Sequence, residues 1–109
     1  MRKGNRILTS QQVEIDGKHT GQAVDLSVVG AYISAQVSYP INTVINLKFQ
    51  LIHHPIEAQA KVIYLDEGIG MGVRFLTLKP EDARRISAYV EAASPSHQIR
   101  PNVRRNQIL

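Results

Sequence analysis

The sequence predicts a mostly β fold, a small antiparallel barrel or sandwich of six short strands closed by one C-terminal α-helix. Three observations carry this. Residues 45–51 alternate strictly, Ile45, Leu47, Phe49 and Leu51 against Asn46, Lys48 and Gln50, which is the period of a half-buried strand. Turn signals recur at short intervals: Asp16-Gly17, Gly30, Pro40, His53-His54-Pro55 and Asp66-Glu67-Gly68. After Pro80 the period changes to that of a helix, with Ala83, Ile86, Val90 and Ala93 on one stripe.

The elements come in order along the chain. Residues 1–10 read as a flexible arginine arm. Residues 11–16 form the first strand, with Val13 and Ile15 on one face, and Asp16-Gly17 turns the chain. Residues 20–27 return with Val24 and Leu26 inward. Gly30 permits a backbone change that a β-branched residue resists, and residues 31–35 resume as a strand. After Pro40 comes the alternating strand that starts at Ile45, then a turn at His53-His54-Pro55. Ile56, Ala58, Ala60, Val62 and Tyr64 form the next face, and Met71, Val73 and Phe75 the last. A barrel removes the exposed edges that six open strands would leave. Pro80 suits the first helical position, and Glu81 and Asp82 complement the positive end of the helix dipole. Residues 11–93 are thus the folded unit, and residues 94–109 read as a basic flexible tail.

Composition narrows the function. The chain has 109 residues, room for one domain, and 43% of them are hydrophobic, enough for a core without staples. There is no cysteine, which excludes disulfides and thiolate metal sites and fits a cytoplasmic setting. No apolar run is long enough to cross a bilayer. The net charge is +4, but Arg2, Lys3, Arg6, Arg100, Arg104 and Arg105 lie at the two ends, and residues 7–99 carry nine acidic groups against seven basic ones. A surface that tracks nucleic acid needs a basic face and aromatic platforms; here aromatics are 6% of the chain and the body is slightly acidic. Basic ends on such a body suit a small anionic ligand captured by an arm. His53 and His54 are adjacent in a turn, His19 and His97 are isolated, and no metal set emerges. No nucleophile stands with a base at a recognisable spacing, so no enzyme is expected. Gly70 and Gly72 lack the Lys-Ser/Thr of a phosphate loop and read as a bulge or a close approach, and Arg74 as an exposed strand arginine.

Two motifs carry chemistry. Arg2-Lys3-Gly4-Asn5-Arg6 places two arginines four apart, and Asp25-Leu26-Ser27-Val28-Val29-Gly30 sets Asp, Ser and Gly in a D-x-S-x-x-G spacing. An arginine fork pairs with a phosphate or with guanine O6 and N7, and its plane stacks on a base. A carboxylate accepts the N1–H and N2–H of guanine, and a serine two residues on is expected on the same side of a strand. With Gly70-Met71-Gly72-Val73-Arg74-Phe75 and the terminal helix, this order of motifs resembles the PilZ domain, a bacterial receptor module for cyclic di-GMP. The resemblance covers residues 2–92. It implies a six-stranded antiparallel β-barrel with a C-terminal helix, and assigns Arg2, Arg6, Asp25, Ser27 and Gly30 as cyclic di-GMP contacts, with no metal and no further cofactor. It implies a cytoplasmic receptor whose arm orders on ligand binding and alters contact with a bacterial protein partner in motility, biofilm or polysaccharide machinery, with no DNA, RNA or membrane partner. The alternative is a PilZ-like interaction module that binds no nucleotide and docks through Val28, Val29 and Tyr32.

Overall fold

The structure, a computed structural model, describes residues 6–93. Arg2, Lys3 and the basic tail expected over residues 94–109 lie outside the described residues. Six strands precede one helix: β1 (Ile7–Ile15), β2 (His19–Leu26), β3 (Gly30–Ser34), β4 (Val44–Leu51), β5 (His54–Asp66), β6 (Gly70–Leu78) and α1 (Pro80–Ala93). All neighbours are antiparallel, and the sheet closes as a barrel in the order β1-β2-β3-β6-β5-β4. The predicted fold class is the one observed.

Strand β4 shows why the alternation predicts so well. Ile45, Leu47, Phe49 and Leu51 are buried while Val44, Asn46, Lys48 and Gln50 face water. Opposite it, Ile56, Ala58, Ala60 and Val62 of β5 complete the inner face. Each fully buried Ile or Leu stabilises the fold by about 1.5–3 kcal/mol.

Three expectations are corrected by bulges and by polar residues in inward positions. The first strand begins at Ile7, inside the segment expected as an arm. Ile7 is buried and pairs with Leu26. The inward positions between Ile7 and Val13 hold Thr9 and Gln11, which carry no hydrophobic signal; both bond the hydroxyl of Tyr89 on α1, Thr9 Oγ1 at 3.0 Å and Gln11 Nε2, donating, at 3.4 Å. In β2 the register shifts between Ala23 and Asp25, so Ala23 and Leu26 are the buried pair and Val24 sits in the bulge. In β5 the register shifts between Val62 and Tyr64, which puts Tyr64 outside instead of on the core face. The turn expected at His53-His54-Pro55 lies earlier: Leu51 pairs with His54, leaving a two-residue loop of Ile52 (φ 47°) and His53 (φ 69°), both left-handed as a type I′ hairpin requires.

The barrel is thinnest where β1 meets β4. Only Glu14 with Lys48 and Ile15 with Leu47 are in register there. The turn after β1 strengthens that end: the Asp16 amide donates to the Asn46 carbonyl at 2.8 Å, and Asp16 Oδ1 accepts the Asn46 amide at 2.8 Å. Helix α1 serves the other end. Ile86 and Val90 enter the barrel core, Tyr89 packs beside them, and Asp82 is buried beside Arg85 at 3.0 Å. Ala93, expected on the apolar stripe, is exposed.

Candidate ligand-binding site

The site grows from the turn between β2 and β3, which the D-x-S-x-x-G motif forms. The Ser27 amide donates to the Gly30 carbonyl at 2.9 Å, and the Ser27 hydroxyl accepts the amides of Val29 and Gly30 at 3.1 and 3.3 Å. The turn is pinned to β6 because the Phe75 amide donates to the Val29 carbonyl at 2.8 Å. Ser27 is 1% exposed, so its hydroxyl serves the turn. Gly30 lies so close to β6 that a Cβ there would fall 2.1 Å from the Val73 carbonyl oxygen. The close approach that glycine permits is therefore made by the protein's own backbone.

Asp25 takes the opposite direction. The bulge after Ala23 turns it to the outer face, where Oδ1 accepts the Tyr32 amide at 2.9 Å and forms an ion pair with Arg6 Nη1. Both side chains remain partly open to water. Asp25 and Ser27 do not share a face as strand geometry suggested, because β2 ends at Leu26 and Ser27 already belongs to the turn. Of the five sequence-predicted residues, Arg6 and Asp25 meet on the surface, Ser27 and Gly30 support them from below, and Arg2 falls outside the described residues.

Cross-strand register extends this spot into a platform. Leu8 lies opposite Asp25, Asp25 opposite Tyr32, Tyr32 opposite Gly72, and Gly72 opposite Tyr64, one row over five strands. The next row runs Gly30, Arg74, Lys61, Val44 and carries two cations. The rings of Tyr32 and Tyr64 sit 6.1 Å apart, tilted by 31°. They cover the β6 glycines: a Cβ on Gly72 would fall 2.3 Å from the Tyr64 ring, and one on Gly70 2.8 Å from the Tyr32 ring. The Tyr32 hydroxyl donates to Asp66 Oδ2 at 2.8 Å. That bond exists only for the protonated phenol and, with loss of solvation and the nearby carboxylate charge, pushes the Tyr32 hydroxyl up to about 12.

Sequence reading missed Tyr64, Lys61 and Asp66 as members of this face and took Tyr32 only as a docking residue. The alternation of Gly70 and Gly72 with core residues was the available signal, since a glycine on an outer face often marks something lying over it. Among the described residues there is no cluster of three or more His, Asp or Glu that could hold a metal ion, and no helix is long and apolar enough to cross a membrane.

A family model for the PilZ domain matches residues 2–92. The chain belongs to the PilZ domain family. Solved structures agree on the fold. The chain superposes on the Bacillus subtilis inhibitor of motility MotI/DgrA with a TM-score of 0.79 at 15% identity, over 91% of this chain and 54% of that one. It superposes on the PilZ domain of CeSA from a cellulose-synthesizing bacterium with a TM-score of 0.61 at 22% identity, over 81% and 96%. For the Borreliella burgdorferi PlzA protein, solved in complex with c-di-GMP, the values are 0.63 and 19%, over 83% and 41%. This PilZ domain therefore spans little more than half of MotI/DgrA and less than half of PlzA. No curated protein matches it.

Proposed function

We propose that this PilZ domain is a cyclic di-GMP receptor that passes second-messenger level to a protein partner. The observation that carries the reading is the pair of Arg6 and Asp25, held on the outer face directly above the buried turn of Ser27 and Gly30. The pair presents an arginine fork and a carboxylate side by side, the two groups that recognise phosphate and guanine. Family membership and the cyclic di-GMP held by PlzA support the ligand class. Gly30 and Ser27 contribute by fixing the β2–β3 turn against β6, which keeps Asp25 in place.

Arg2 acts from residues 1–5, joining Arg6 around the ligand. Closure of the arm then changes the surface seen by a partner, in the motility, biofilm or polysaccharide machinery of a bacterial cytoplasm; the name of MotI/DgrA supports the first of these.

One observation favours the alternative of an interaction module without nucleotide: the fold already uses the Ser27 hydroxyl and the missing Cβ of Gly30. Its proposed docking patch is weaker than expected, since Val28 packs against the core and Tyr32 is engaged by Asp25 and Asp66. Thermal shift separates the readings. Cyclic di-GMP should raise the melting temperature of the domain, with cyclic di-AMP and GTP inert. No shift with any of the three would move the function to the interaction module.

A further inference from the structure

The platform beside Asp25 has a second carboxylate, and Tyr32 joins the two. Its amide donates to Asp25 Oδ1 and its hydroxyl to Asp66 Oδ2. Each carboxylate thus has one oxygen held by the same tyrosine and a second oxygen that accepts no hydrogen bond among the described residues. Between them lie the two tyrosine rings, tilted by 31° to each other. Gly70 and Gly72 lack the side chains that would lift the rings of Tyr32 and Tyr64, and Tyr64 is 48% exposed. Tyr64 thus lies over Gly72 and is half exposed to a visitor, with the partly buried Tyr32 beside it.

We infer that Tyr32, Tyr64 and Asp66 form a second base-reading subsite, in which a purine stacks on the tyrosine rings and Asp66 accepts the N1–H and N2–H of guanine. The inference rests on the receptor reading and deepens it. A cyclic dinucleotide has two bases on one compact ring, and the row from Asp25 to Tyr64 crosses three strand spacings, about 14 Å. One guanine sits at Arg6 and Asp25, the other on the shelf. Arg74 and Lys61, in the adjacent row, face the same side and supply positive charge for the phosphates between them. Base stacking on an aromatic ring contributes about 1–3 kcal/mol per base and tolerates any base; selection for guanine then falls to Asp66, because adenine offers no pair of donors at those positions. The Tyr32 hydroxyl holds the carboxylate still before ligand arrives. If the rings served only to cover glycines, neither the carboxylate at their edge nor its locking bond would affect base choice.

The test is calorimetric titration of wild type and of Asp66→Asn with cyclic di-GMP and with its inosine analogue, which lacks the 2-amino group. Asparagine keeps an acceptor for Tyr32 and replaces the free carboxylate oxygen by a donor, so the fold should hold, with melting temperature as the control. Asp66→Asn should weaken cyclic di-GMP binding about tenfold or more and shrink the preference for guanine over inosine. Tyr64→Leu, which still covers Gly72, should weaken both ligands alike. Cyclic di-GMP binding with the affinity and the preference unchanged in Asp66→Asn overturns the subsite while the receptor reading stands. Absence of cyclic di-GMP binding in wild type overturns both.

Discussion

The outer face of β2, β3, β6 and β5 and the seam between β1 and β4 are built by opposite means. On the face, backbones approach so closely that Gly30 has no room for a Cβ, and the turn above it is tied to β6 by a backbone bond. At the seam only two residue pairs are in register; Asp16 adds one backbone and one side-chain bond to Asn46 at one end, and at the other Tyr89 of α1 bonds Thr9 and Gln11 of β1. The face is closely packed backbone. The seam has a short ladder with polar bonds at its two ends. Strand β1 belongs to both, because Leu8 pairs with Asp25 while Thr9 and Gln11 touch α1. Arg6 immediately precedes the strand that bonds the helix.

The contrast can be broken most severely at Gly30. Gly30→Ala sets a methyl against the Val73 carbonyl, which no rotamer relieves. It should cost about 3 kcal/mol in urea denaturation, with an unchanged m-value; a wild-type midpoint would show that the face is not closely packed. Ser27→Ala comes next. It leaves the amides of Val29 and Gly30 without their buried acceptor and should cost about 2 kcal/mol, measured the same way. The seam should respond less. Tyr89→Phe keeps the ring in place and removes the two bonds to β1, so about 1 kcal/mol is expected, with faster amide exchange concentrated in β1. Exchange that quickens evenly over the whole barrel would refute the idea of a separate seam.

The smallest effect is a titration. Tyr32 ionises near 12 where an ordinary tyrosine does so near about 10. The neutral phenol is the form the fold favours, so this contribution to stability is full below about pH 10 and is lost as pH rises through 12. Phenolate absorbance should show one late tyrosine whose ionisation moves down in Asp66→Ala. If all tyrosines titrate together in wild type, the bond to Asp66 does not persist in solution.

Legibility in the sequence divides along the same line. The alternation of β4 and the period of α1 are single-chain signals; the first matched the structure throughout and the second at Ile86 and Val90 but not at Ala93. The start of β1 was hidden because Thr9 and Gln11 point inward while satisfied by Tyr89, a partner eighty positions away from Thr9. The bulges at Val24 and Ile63 invert the faces of the residues beyond them, and nothing in a periodic pattern marks where one strand slips against another. At the candidate site, the D-x-S-x-x-G spacing marked the turn between β2 and β3, yet it could not say that Ser27 and Gly30 are spent on the turn itself. The row from Asp25 to Tyr64 was unreadable because it depends on register across four strands, and β3 pairs with β6, which is distant in sequence.

The most direct measurement is isothermal titration of cyclic di-GMP into the wild-type chain and into the double variant Arg6→Ala, Asp25→Ala. The exposed ion pair contributes little to folding, while Asp25→Ala also leaves the Tyr32 amide without its acceptor, so the variant should lose about 1 kcal/mol and still be folded at the titration temperature. The pair of Arg6 and Asp25 as the ligand anchor predicts saturable binding in wild type and an affinity about 100-fold weaker or worse in the variant, as loss of two charge-assisted contacts implies. Equal affinity in the two proteins, or no binding by wild type, would contradict the central claim.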